Sequence, residues 1–144
     1  MKLRLTLFAL TLVCLLSFAG IALAQDAVPV NAGETVITLE NGVVGTLALP
    51  ESDAPVPVVL MLHGFASSRN EVGDMYLRLA AALSERGIGS LRIDFSGWGE
   101  SAGNMVDSTV SGMVADAELA LQYLTGLEGV DASRLGILGF SLGG

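Results

Sequence analysis

The residues best suited to chemistry stand at the carboxyl end: Gly139-Phe140-Ser141-Leu142-Gly143-Gly144, directly after the apolar run Leu135-Gly136-Ile137-Leu138. In a G-x-S-x-G pattern the serine sits on a tight strand-to-helix turn and presents its hydroxyl above a sheet. The turn demands a strained backbone at Ser141 and small residues two positions away, so that strand and helix can approach; Gly139 and Gly143 meet that demand. A helix starting after Ser141 aims free N–H groups at the same point, and the Leu142 amide becomes a donor for a developing oxyanion. That chemistry is nucleophilic acyl transfer. A chain with 18 glycines also yields such a pentapeptide by accident, so its context has to decide.

The context is a series of elements that deliver polar residues to one place. Residues 34–40 and 43–49 alternate about Asn41-Gly42, a hairpin signal in which both turn residues are expected at positive φ. After a turn-rich connection at 50–57, Val58-Val59-Leu60-Met61-Leu62 reads as a strand buried on both faces, with His63-Gly64-Phe65 at its carboxyl end. A polar loop leads into a helix near Glu71, with an apolar stripe Tyr76, Leu79, Ala80, Leu83 and a stop at Gly87. Residues 88–95 form the next strand, opening into Asp94-Phe95-Ser96-Gly97-Trp98-Gly99-Glu100-Ser101. A second helix is expected over 109–124, with Val110, Met113, Val114, Ala117, Leu121 and Leu124 on its buried face. Asp131-Ala132-Ser133-Arg134 turns into the last strand, also expected to be buried.

This alternation specifies an α/β domain: a mostly parallel sheet with helices on both faces, whose ligands collect at the carboxyl ends of the strands. His63, Asp94 and Ser141 all fall at such ends. Three polar side chains brought to one rim by separate strands are hard to attribute to accident.

Composition narrows the class. Residues 1–24 begin with Lys2 and Arg4, continue as an uncharged run and end Ala22-Leu23-Ala24, which reads as a secretory signal with cleavage before Gln25. Export to a periplasm or the medium is expected; an uncleaved amino-terminal membrane anchor is the alternative. Residues 25–33 are a linker and 34–144 the domain. The single cysteine, Cys14, lies inside the signal, so no disulfide or thiolate metal site is expected downstream. Past the signal, five arginines face 15 acidic residues and there is no lysine, a net charge of −10. Such a balance argues against nucleic acid and against stable membrane association after signal cleavage. No cofactor is expected. A metal is not expected either, because His63 has no second histidine or cysteine to partner it. The glycine-rich 97–103 loop lacks the lysine of a phosphate cradle.

Taken together, His63-Gly64-Phe65, the stretch from Asp94 to Ser101 and the Gly139 to Gly144 turn resemble the α/β-hydrolases, over residues 34–144. Within them the chain is similar to the esterase-like branch that includes cinnamoyl and feruloyl esterases. Phe140 and Leu142 beside the serine look more like dienelactone-hydrolase and peptidase-like members. The resemblance implies the amino-terminal half of an α/β-hydrolase fold, with an antiparallel starting hairpin and flanking helices. It implies Ser141 as nucleophile, an oxyanion hole from the backbone N–H groups of Phe65 and Leu142, support of that loop by His63 and Gly64, and a small-molecule ester substrate.

The family's triad runs serine, then acid, then histidine. Neither acid nor base follows Ser141 here, so the 144 residues are expected to be an inactive fragment, with an apolar edge along 135–138 that favours aggregation. A serine peptidase of the same fold and a non-catalytic half-domain or binding protein are the other readings. His63 invites assignment as general base, but the resemblance places it in the oxyanion loop, where its imidazole is expected to shape the turn. Asp94 is expected to organise its loop by accepting backbone N–H bonds. Trp98 either lines an acyl pocket or covers the sheet, and Asp116 and Glu118 are assigned to a solvated or capping face.

Overall fold

The computed structural model describes residues 30, 31 and 33–144. The signal segment 1–24 with Cys14, and most of the linker 25–33, lie outside the described residues. Strands β1 (Thr35–Thr38) and β2 (Val44–Ala48) form an antiparallel hairpin, with Thr35 opposite Leu47 and Thr38 opposite Val44. Its turn differs from the expectation: Gly42 takes φ +85° but Asn41 does not adopt positive φ. The Asn41 side chain accepts the Val43 N–H at 3.1 Å, and the Gly42 N–H closes onto the Leu39 carbonyl at 2.9 Å. One glycine in the left-handed region therefore suffices for this longer loop.

Then follow β3 (Val56–Leu62), α1 (Met75–Ser84), β4 (Gly89–Ile93), α2 (Val110–Thr125) and β5 (Val130–Gly139). The sheet order is β1-β2-β4-β3-β5. It is parallel through β4-β3-β5 and antiparallel through β1-β2-β4. Because side chains alternate along a strand, β3 and β4 sort their residues onto two layers. Val58, Leu60, Leu62, Leu91 and Ile93 join Met113, Ala120 and Leu124 of α2 in the main apolar core. Ser90 and Arg92 alternate onto the other layer, where polar groups are buried beside apolar ones such as Met61. There Arg92, fully buried, donates to both oxygens of Glu34 at 2.7 and 2.9 Å, tying the entry of β1 to β4.

Two expectations about burial are corrected. Helix α2 is capped by Thr109, whose hydroxyl accepts the Gly112 N–H at 3.1 Å. Its buried stripe, however, is Met113, Asp116, Ala120, Leu124, while Val110 is 67% exposed and Val114 is exposed as well. The helix is turned so that Asp116 faces inward, for a reason given below. Strand β5 is an edge strand, paired only with β3 among the described residues, and Ile137 is 59% exposed. Burial of a strand's two faces needs layers packed on both of them, and β5 leaves Ile137 and Leu138 exposed, the apolar edge expected along 135–138.

Candidate active site

The three strands β4, β3 and β5 are neighbours and run the same way, so their carboxyl ends share one rim. At the end of β5, Phe140 is still extended and Ser141 takes φ +54°, opening a short 3₁₀ turn over Ser141–Gly143. A non-glycine residue in that region is uncommon and costs on the order of 1–3 kcal/mol. The flanking glycines are required by contact: a Cβ on Gly139 would lie 2.0 Å from the Gly143 carbonyl oxygen, and one on Gly143 would lie 2.3 Å from that of Leu62. The turn is thus wedged against the end of β3.

The loop leaving β3 touches it. A Cβ on Gly64 would lie 3.2 Å from the Phe140 carbonyl oxygen and 3.3 Å from the Ser141 Cβ. Backbone donors accumulate here. Gly143 and Gly144 close the turn onto Phe140 and Ser141 at 3.0 and 3.2 Å; among the described residues, the N–H groups of Phe65 and Leu142 donate to no backbone carbonyl.

His63, the sole histidine, is buried and used at both ring nitrogens. Nδ1 lies 2.7 Å from the Gly64 carbonyl oxygen, and the Phe95 N–H donates to Nε2 at 3.1 Å. A ring that accepts at Nε2 and donates at Nδ1 is neutral. Burial pushes its pKa below the ordinary 6.5, against the opposing pull of the Gly64 carbonyl and of Asp94 and Glu71. The ring is packed against Phe95 and Trp98, with centroids 4.9 and 5.8 Å away.

A pH dependence follows from this burial. Below about pH 6.5 the unfolded chain protonates its histidine while the native chain does not, so stability falls by up to about 1.4 kcal/mol per pH unit down to the depressed native value. The carboxyls of Glu34 and Glu71, both held below their ordinary 4.5, lose their contribution only at lower pH. Urea titrations from about pH 7.5 to about pH 5 are therefore expected to show a falling midpoint with unchanged slope. A flat profile would mean that His63 is protonated in place.

Sequence reasoning missed Glu71. Its carboxylate accepts the Gly64 N–H at 2.6 Å and the Val72 N–H at 2.8 Å. Burial pushes this carboxyl up, and the two backbone donors, with the Ser67 hydroxyl, more than reverse it. No periodicity marks such a residue, since it lies in a loop and its partner is seven positions back.

Asp94 accepts backbone N–H groups as expected, from Arg69 at 2.6 Å and Glu100 at 3.0 Å. It also forms a fully buried ion pair with the Arg69 guanidinium, which in turn donates to Thr46 Oγ1 at 2.8 Å and pairs with Glu100. The sequence offered no signal for a buried arginine. Gly99 is the counterpart of this carboxylate: a Cβ there would fall 2.3 Å from the Asp94 carboxyl carbon. Trp98 is buried, donates its indole N–H to Ser108 Oγ at 3.0 Å, and meets the exposed Phe65 ring edge-on at 5.2 Å.

Asp116 is not on a solvated face. It is buried and accepts the Ser96 N–H at 2.7 Å, the Ser96 hydroxyl at 2.8 Å and the Asn41 amide at 2.8 Å. These three donors, from the β4 loop and the first hairpin, turn α2 inward. Its place on the buried side could have been read from its i, i+4 spacing to Ala120. Glu118 is exposed, as expected. Asp116→Ala is expected to cost about 1–3 kcal/mol, because it strands three donors. A loss below about 0.5 kcal/mol in urea titration would return Asp116 to a surface role.

A parallel β4-β3-β5 core, with a positive-φ serine wedged between glycines at its carboxyl rim, defines an α/β-hydrolase. More narrowly, the chain belongs to a family described as Esterase FrsA-like, which matches residues 16–144. Among solved structures, Est1E from Butyrivibrio proteoclasticus, with ferulic acid bound, shares the fold at a TM-score of 0.65 and 24% identity, over 76% of this chain and 43% of that one. An uncharacterized protein of Mycobacterium tuberculosis is 32% identical over 83% of this chain and 41% of its own length. The lysophosphatidylserine lipase ABHD12 of Danio rerio is 36% identical over 60% of this chain and 21% of its own. The chain spans 36% to 41% of the length of the first curated relatives it matches.

Proposed function

We propose that this chain carries the nucleophile and the oxyanion hole of a serine hydrolase that cleaves small carboxylic esters through an acyl-enzyme. The observation that carries the reading is Ser141 at φ +54°, locked between Gly139 and Gly143 and in contact with the Gly64 loop. Membership of an esterase family supports the same class.

In this mechanism Ser141 Oγ loses its proton to a base and attacks the ester carbonyl carbon. The carbonyl oxygen becomes an oxyanion and receives the N–H groups of Phe65 and Leu142. Collapse expels the alcohol, and water then releases the acid. Each oxyanion donor is worth about 2.7–4 kcal/mol of transition-state stabilisation, because it is already oriented when the charge develops. The base is not His63: its lone pair at Nε2 is held by the Phe95 N–H. In the family's order the triad acid and histidine come after the serine.

The test is covalent labelling of the intact protein with a fluorophosphonate, followed by peptide mapping. Modification confined to Ser141, together with hydrolysis of a p-nitrophenyl ester that the label blocks, is the expected result. Turnover with label on another residue would overturn the assignment. Ligand binding without turnover or labelling would favour a binding protein.

A further inference from the structure

Phe65 donates through the peptide that follows Gly64, a residue with no side chain to limit its rotation. The direction of that donor therefore depends on what holds the two peptides flanking Gly64. The peptide after it is held by its carbonyl, 2.7 Å from His63 Nδ1. In a trans peptide the N–H points opposite to the C=O, so this bond sets the direction of the Phe65 N–H. The peptide before it is held by its N–H, which donates to Glu71 Oε2 at 2.6 Å.

Glu71 maintains that contact in an unfavourable conformation. Its own φ is +60°, and Gly73 and Asp74 take +59° and +56° in the same turn. The second carboxylate oxygen accepts the Val72 N–H at 2.8 Å, and the Glu71 N–H donates to the Ser68 carbonyl at 2.8 Å. Strain of this kind persists where the surroundings over-determine it, and it gathers at functional sites. The side chain is buried although it carries a charge, which a surface turn would not require.

From this we infer that Glu71 is a positioning residue for the oxyanion hole, clamping Gly64 so that the Phe65 N–H faces the Ser141 hydroxyl. The inference rests on the serine hydrolase reading above. Glu71 touches no substrate; it acts through Gly64. Its effect should appear when charge develops on the substrate oxygen and not when substrate binds.

The experiment uses Glu71→Ala and Glu71→Gln in the intact protein, with kcat and KM on a p-nitrophenyl ester and the inhibition constant of a trifluoromethyl ketone. That ketone forms a hemiketal whose oxyanion occupies the same hole. Glu71→Ala is expected to lower kcat on the order of 10²-fold, close to the loss of one donor, with KM nearly unchanged and ketone affinity weakened by the same factor. Glu71→Gln keeps one oxygen for the Gly64 N–H but gives up the charge, so it should recover most of the loss and lie roughly tenfold or less below the unmodified protein. If Glu71→Ala does not fold, the parallel fall of kcat and ketone affinity in Glu71→Gln reads the same property. A variant that melts earlier yet keeps kcat and ketone affinity would reduce Glu71 to a structural role and overturn the inference. Full activity in Ser141→Ala would instead remove Ser141 as the nucleophile, and with it the reading on which the inference rests, so the two failures are distinct.

Discussion

Replacing Ser141 with alanine is expected to lower kcat for ester hydrolysis by on the order of 10⁵- to 10⁶-fold, leaving only what binding and the oxyanion hole supply. The fold should not suffer. Alanine retains the Cβ, so the strain at φ +54° and the contact with Gly64 remain as they were. Ser141→Gly separates the two properties. It removes the same hydroxyl and also relieves the left-handed strain, so it should be equally inactive but more stable by about 1 kcal/mol. The measurement is a burst titration beside a thermal melt for all three proteins. An inactive Ser141→Gly that melts higher would mark strain held for function. If Ser141→Ala retains turnover within tenfold, the nucleophile lies elsewhere.

Arg69→Met is expected to destabilise the protein by about 3–5 kcal/mol, a large share of the total stability of an ordinary domain. The guanidinium and the Asp94 carboxylate are both buried, and no water reaches the carboxylate to replace its partner. Removing the arginine side chain leaves the Asp94 charge with two backbone donors, and takes one donor each from Glu100 and Thr46. Asp94→Asn should also destabilise, because the buried Arg69 guanidinium then keeps only the half-buried Glu100 carboxylate as its counter-charge. The double variant should cost less than the two together, with a coupling of about 0.5–3 kcal/mol. Chemical denaturation of the four proteins closes this cycle, and strict additivity would mean that the pair is not coupled. The loop from Phe95 to Ser101, which carries Trp98 beside Phe65, is the segment expected to loosen first.

How much of this was legible beforehand depended on the kind of interaction. The order of strands and helices came through because it is written in local periodicity. The elbow came through because its steric demand falls on residues two positions apart. Apolar character alone points Val110 and Val114 of α2 inward, whereas the folded helix exposes both. Asp116, a carboxylate, occupies the inward position for the sake of three donors distant in sequence. The Asn41-Gly42 dipeptide alone implies positive φ at both residues, but the Asn41 side chain engages Val43 and Asp116 and leaves the bend to Gly42. The burial expected of β5 depends on what packs over its faces, which the local run 135–138 does not encode.

The α/β alternation, the glycine spacing around Ser141 and the delivery of His63, Asp94 and Ser141 to strand ends are all written in the chain. Each of these follows from short-range geometry: side-chain period, turn sterics and chain reach. Folding alone makes His63 neutral and fully engaged, buries Arg69 against Asp94 and sets Glu71 on Gly64. These are contacts between groups that are free in the extended chain. A buried charge takes its meaning from the partner that folding brings to it, and nothing in the local sequence names that partner.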